Sequence, residues 1–162
     1  MTEGKPDYIK WLRSKVGHDK VFMNFVVALI RNEKGEVLMQ QRGDSDLWGF
    51  PGGCIELGES FEEALHREIF EETQIREFEI VRQLGTYNWR EFTYPNGDVA
   101  QPIDIWFICN LHGTVDLTYR DEETEDLRWV DLKNLTVELF NKKFSTAIAD
   151  YLAFAKNEKE KL

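Results

Sequence analysis

From about Ser60 to Thr73 the chain reads as a helix whose apolar stripe turns acidic halfway along. At ~100° per residue, Phe61, Leu65, Glu68 and Glu72 fall on one row, spaced i, i+4, i+7 and i+11. Ala64 and Ile69 flank that row, and Glu71 lies at its edge. The first half of the stripe is built to pack on a sheet. The second half sends carboxylates the same way, into a cleft or a partly buried site. Carboxylates that close repel one another, and burial makes this worse. Something positive must hold them, and hard divalent cations prefer oxygen ligands. The plainer alternative is a solvated surface laced with ion pairs, because Arg67 stands four residues from both Glu63 and Glu71. Ser60 and Glu63 form a capping box at the helix start. Gly52, Gly53 and Gly58 let the preceding chain turn tightly and bring its backbone close to a ligand.

The flanking sequence supplies strands for this helix to pack on. Asp7 to Val16 predicts a short helix with Pro6 in its first turn and Gly17 as its stop. Val21 to Ile30 predicts a buried strand, and Glu36 to Arg42 a second one across the Asn32-Glu33-Lys34-Gly35 turn, together a hairpin. Gly43 to Pro51 reads as a loop. Phe78 to Asn88 and Val99 to Leu111 read as further strands, joined by the turn Tyr94-Pro95-Asn96-Gly97-Asp98. A short strand, Leu127 to Val130, follows the acidic loop Asp121 to Asp126. Val137 to Ala155 predicts an amphipathic helix with Phe140, Phe144, Ile148, Tyr151, Leu152 and Ala155 on one face. These elements predict one α/β domain over residues 1–162, a three-layer α/β/α sandwich around a mixed sheet.

Composition narrows the partners. Lys plus Arg number 20 and Asp plus Glu 30, a net charge of −10. That argues against a nucleic-acid or anionic-membrane partner, since both need a basic footprint, but not against a small anionic ligand. The two cysteines, Cys54 and Cys109, make neither a disulfide framework nor a zinc spacing, and read as reduced core thiols. The longest apolar run, Phe25 to Ile30, is far short of the ~18 residues of a spanning helix. The N-terminus lacks a signal-peptide pattern. A soluble cytoplasmic protein is expected.

Gly53 to Ile75 resembles the signature of the Nudix hydrolases, of the MutT-like kind. That signature is a glycine, five residues, a glutamate, seven residues, then Arg-Glu-apolar-any-Glu-Glu-any-Gly-apolar. This chain supplies Gly53, Glu59 and Arg67-Glu68-Ile69-Phe70-Glu71-Glu72-Thr73-Gln74-Ile75. Trp48-Gly49-Phe50-Pro51-Gly52 and the acidic loop before Leu127-Arg128-Trp129-Val130 are also similar to the family. Gln74 stands where the family usually has Gly. If that residue keeps a left-handed conformation, Gln there costs about 1 kcal/mol.

The resemblance implies a metal-dependent enzyme that hydrolyses the pyrophosphate linkage of a nucleoside diphosphate derivative: a nucleoside triphosphate, ADP-ribose or a nucleotide sugar. It implies Glu68, Glu71 and Glu72 as inner ligands of Mg²⁺ or Mn²⁺, with Glu56 or Glu59 helping through water or holding the loop. The carbonyl of Gly52 or Gly53 is an added ligand, and Arg67 orients the carboxylates. The general base is Glu68 or a loop glutamate, Glu122, Glu123 or Glu125. Arg42 is a phosphate contact or a surface arginine. Trp48, Phe50, Tyr87 and Trp89 are candidates for stacking on a base or are core, and Asp104 reads a base edge or faces solvent. His18 has no metal partner at useful spacing. The rival reading is a catalytically silent sensor of the same fold that binds a nucleotide without cleaving it. The expected state is a monomer or homodimer that binds neither nucleic acid nor membrane.

Overall fold

Strand β1 (Val21–Arg31) has apolar side chains on both of its faces, so it must lie inside a sheet covered on two sides. A computed structural model of the protein, describing residues 7–161, has that arrangement. Beyond helix α1 (Tyr8–Val16) and β1 come β2 (Val37–Arg42), β3 (Trp48–Gly49), β4 (Gly52–Cys54), α2 (Phe61–Thr73), β5 (Phe78–Asn88) and β6 (Phe92–Thr93). They are followed by β7 (Val99–Leu111), β8 (Thr124–Val130), a 3₁₀ turn at Leu132–Asn134 and α3 (Phe144–Glu160). The main order in the mixed sheet is β3-β2-β1-β7-β5. β1 and β7 run parallel from Val21 opposite Ala100 to Arg31 opposite Asn110.

The other edge of β1 is shared. Arg31 sits opposite Val37 of β2, whereas Phe25, Val26 and Val27 sit opposite Cys54, Gly53 and Gly52 of β4. The sheet therefore forks where β2 departs to pair with β8 and β3. Gly52 is required at the fork, because any β-carbon there would collide with the carbonyl oxygen of Val26.

On one face, Val26, Ala28, Ile30, Ile105 and Phe107 pack against Ala64, Leu65 and Ile69 of α2. On the other, Val27, Leu29, Trp106 and Ile108 pack against Ala147, Ile148 and Tyr151 of α3. The three layers expected from the sequence are present. A third, smaller cluster joins Tyr8, Ile9 and Leu12 of α1 to Met23, Cys54 and Ala100. Among the described residues no helix is long and apolar enough to cross a membrane.

Several boundaries differ from the sequence reading, each for a tertiary reason. α3 starts at Phe144 and not at Val137, because the backbone before it pairs elsewhere: Trp48 donates to the Glu138 carbonyl (2.9 Å) and Phe140 donates to the Trp48 carbonyl (2.7 Å). The expected loop 43–51 contains β3, and β8 begins at Thr124, inside the expected acidic loop. The first hairpin turn is present, with Gly35 at φ 78°, but β1 takes most of its partners from β4 and β7. Pro6 lies outside the described residues, and Asp7 caps α1. The Asn96-Gly97 turn joins β6 to β7, with Gly97 at φ 91°.

α2 ends as its sequence implies, with both capping-box bonds formed at Ser60 and Gln74 left-handed at φ 64°. Gln74→Gly removes that strain. It is expected to stabilise the protein by about 0.5–1 kcal/mol. Thermal denaturation should show a rise of roughly 1–4 °C for a chain of this size.

Candidate active site

The far end of α2 faces inward. Glu68 and Glu72 are each only 8% exposed. Glu72 accepts from the Gly52 N–H (3.0 Å), and Glu68 packs so closely on Gly53 that a methyl there would collide with its carboxylate. Arg67 ties the group together. Its guanidinium donates to both oxygens of Glu59 (2.7 and 2.8 Å), to Glu68 (2.6 Å) and to the Cys54 carbonyl (3.0 Å). Glu71, more exposed, stands 3.5 Å from the same guanidinium. Glu59 in turn accepts from the Glu56 N–H (2.7 Å), which holds the glycine loop closed on α2.

These carboxyls are electrostatically frustrated. Burial lifts Glu68 to about 7 against the pull of Arg67. Burial, reinforced by the Glu68 charge, lifts Glu72 well above the ordinary carboxylate range, and the Gly52 N–H offsets only part of it. Among the described residues no three His, Cys, Asp or Glu side chains stand ready at ligand spacing. The donor chemistry nevertheless fits a hard divalent cation: the donors are carboxylate oxygens, they are buried in excess of the positive charge near them, and a glycine leaves room beside them.

The carboxylates form one end of a cleft of ≈ 840 Å³ that opens in the fork of the sheet. Of the residues the sequence singled out, Gly52, Gly53, Glu56, Glu59, Arg67, Glu68, Glu71 and Glu72 all line it, as do Arg42, Phe50 and Asp104. Arg42 lies over the Phe140 ring (3.7 Å) while donating to both oxygens of Asp44 (2.9 and 2.8 Å). Glu122 and Glu123 line the cleft, whereas Glu125 is exposed on β8, paired with Asp46. Trp48 is buried in the core under α3 and carries Arg128 over its ring at 4.9 Å. Tyr87 stacks on Trp89 at 6.0 Å, and neither lines the cleft. His18 is exposed and pairs with Asp98 (2.7 Å).

The acidic loop is held against the site by contacts that spacing does not reveal. Buried Gln40 donates to Thr124 (2.7 Å), whose hydroxyl donates to the Glu72 carbonyl (3.2 Å). The Gly43 N–H bonds the Glu123 carbonyl (3.1 Å), and a β-carbon on Gly43 would strike the Glu122 carbonyl oxygen. Burial raises the Glu123 carboxyl, with Asp121 and Glu71 adding to it. The cleft is also lined by Phe92, Tyr94, Phe140, Asn141 and Phe144. Asp104, 5% exposed, is raised to about 6 by burial despite accepting from the Trp89 indole N–H (3.0 Å). Phe140 was visible in the sequence only as a member of a helical stripe, and Tyr94 only as part of a turn.

Comparison with known proteins agrees with this geometry. The family model described as NUDIX domain matches residues 22–151. An RNA pyrophosphohydrolase of Shewanella denitrificans is 32% identical over 118 residues, covering 65% of this chain and 69% of that protein. One of Ectopseudomonas mendocina is 34% identical over 117 residues, covering 65% and 74%. The crystal structure of a MutT protein from Methanosarcina mazei Go1 superposes with a TM-score of 0.68 at 28% identity, covering 85% of this chain and 98% of that one.

Two outcomes follow from the geometry. A hard divalent cation held by this donor set should raise the melting temperature of the parent protein, and Gly53→Ala should fold yet lose most of that rise, because the added methyl takes the space of the Glu68 carboxylate. Asp104 contributes a pH slope. Between its ordinary value of 3.8 and about 6 the folded state holds the proton that the unfolded state has lost. Stability is therefore present below about pH 4 and lost as pH rises through about 6, by roughly 3 kcal/mol at ~1.4 kcal/mol per unit. Urea titrations of Asp104→Asn, which keeps an acceptor for Trp89, should lack this component of the slope.

Proposed function

The chain belongs to the Nudix hydrolase family, and from this we infer that it uses Mg²⁺ or Mn²⁺ to cleave the pyrophosphate linkage of a nucleoside diphosphate derivative. The observation that carries the reading is the pair Glu68 and Glu72, buried against the Gly52-Gly53 backbone in a cleft that is also lined with aromatic rings. Glu68, Glu71 and Glu72 would hold the metal, with Glu56, Glu59 and a carbonyl of Gly52 or Gly53 in support. Such an ion, when bound, neutralises phosphate oxygens and lowers the pKa of attacking water.

The chain's own groups do the rest. Arg67 keeps Glu59 and Glu68 aligned and stops the carboxylates from spreading apart. We assign the loop general base to Glu123. It lines the cleft, and both Glu68 and Glu72 feel its charge. Glu125 is directed to Asp46 and is left out of the assignment. Arg42, stacked on Phe140, offers its guanidinium to phosphate. Tyr94 and Phe140 offer stacking faces in place of Trp48, and Asp104 with Asn141 offers polar atoms to a base edge.

The names of the relatives favour a second substrate reading, the triphosphorylated 5′ end of an RNA. On a nucleotide panel with Mg²⁺, Glu72→Gln and Glu68→Gln should each lose at least ~10²-fold in kcat. Parent-like turnover in both variants would remove the assignment. Glu123→Gln should lower kcat and flatten the acid limb of its pH profile, a limb that sits above pH 4.5 in the parent because the carboxyl is raised.

A further inference from the structure

Helix α1 precedes residue 22, where the match to the family domain begins, yet it walls the cleft through Asp7, Ile9 and Arg13. Both of its ends are tied to the site. At its first turn the Tyr8 N–H donates to Glu56 (2.9 Å), the residue whose own N–H bonds Glu59. At its last turns Arg13 donates to the carbonyls of Gly17 (3.1 Å), Asp19 (2.7 Å) and Val99 (2.8 Å), and its Nε lies 3.5 Å from Asp98. His18 pairs with the same Asp98. Asp98 closes the turn that carries Tyr94 and Asn96 into the cleft. The helix thus spans from the acidic glycine loop to the ring-bearing turn, and Ile9 and Leu12 seal it onto Met23 and Ala100.

The charge along this wall works against a polymer. Among the described residues the cations lining the cleft are Arg13, Arg42 and Arg67, and each faces a carboxylate of the chain itself: Asp98, Asp44, and the Glu59–Glu68 pair. An RNA chain brings a further phosphate with every nucleotide, and beyond Arg42, already assigned to the first phosphates, the described lining offers it Arg13 and Arg67, both held by the chain's own carboxylates. A single nucleotide needs only the carboxylate group and the lining rings, and a cleft of ≈ 840 Å³ is of the size that encloses one. Resting on the pyrophosphohydrolase reading above, we propose that α1 is a specificity wall: by tying the Glu56 loop to the Asp98 turn it closes the cleft around one nucleoside and turns away the 5′ end of RNA.

The test is competition for a fluorescent, methylene-bridged nucleoside triphosphate that cannot be cleaved, using the full chain with Mg²⁺. The competitors are an unlabelled mononucleotide analogue and a ten-nucleotide RNA with the same methylene-bridged 5′ triphosphate. The RNA should compete at least tenfold more weakly. Arg13→Gln should narrow that gap to threefold or less. Tyr8→Pro should do the same. Proline is accepted at the first position of a helix, and Asp7 at φ −47°, ψ 120° already suits a following proline, so this change removes the N–H that Glu56 uses and spares the helix. Tyr8→Ala loses the ring but keeps that N–H and should retain the gap. Equal competition by RNA and mononucleotide in the parent protein would overturn the proposal. So would an unchanged gap in folded Tyr8→Pro. Selective binding with no turnover of the cleavable nucleotides would uphold the wall and remove only the hydrolase reading.

Discussion

Arg67 donates to Glu59, Glu68 and the Cys54 carbonyl, and through those bonds the glycine loop, β4 and α2 become one mechanical unit. Without that guanidinium, Glu59 and Glu68 would be charges of one sign crowded together with little water to screen them, an arrangement that raises their proton affinity or forces them apart. One cation is not enough for the set. Glu72 accepts from the Gly52 N–H and feels the field of Arg42, yet burial still raises it well above the ordinary carboxylate range. Pairs of this kind are what a hard metal ion resolves, because its charge and oxygen preference meet both requirements at once.

The space for a substrate arises from the fork in the sheet. β1 changes partner from β2 to β4, and the chain departing on either side leaves the cleft between them. Glycine at position 52 permits the close approach of β4, and glycine at position 43 lets the acidic loop lie directly on β2. The buried chain from Gln40 through Thr124 to the Glu72 carbonyl then joins sheet, loop and helix. Acidic side chains therefore reach the cleft from α2 and from two loops far apart in sequence, each loop tied to its neighbours by backbone hydrogen bonds.

Parts of this could be read directly from residue spacing. Glu68 and Glu72 fall on the core-facing row because a helix repeats every 3.6 residues, and their burial agrees. The left-handed stop at Gln74 and the turn at Gly97 likewise follow from local backbone chemistry. Trp48 and Glu125 illustrate where local reasoning ends. Both sit beside motif residues, yet in a strand each step reverses the face, so Trp48 enters the core beside the cleft-lining Gly49; Glu125 stands on β8 and faces Asp46, whereas Glu123 lies in the loop before β8 and lines the cleft. Phe140 matched the spacing of α3 but lies in the segment that pairs with Trp48.

By itself the sequence determined the acidic helix, its caps, the long strands and the family, because those depend on periodicity, backbone preference and residue identity within short windows. Tertiary structure alone decided which loop glutamate reaches the site, which rings face it, and that α1 belongs to its wall. Those outcomes depend on contacts such as Arg13 with Val99, 86 residues apart. No local pattern encodes a meeting at that separation; it exists only once the sheet has set the two segments side by side.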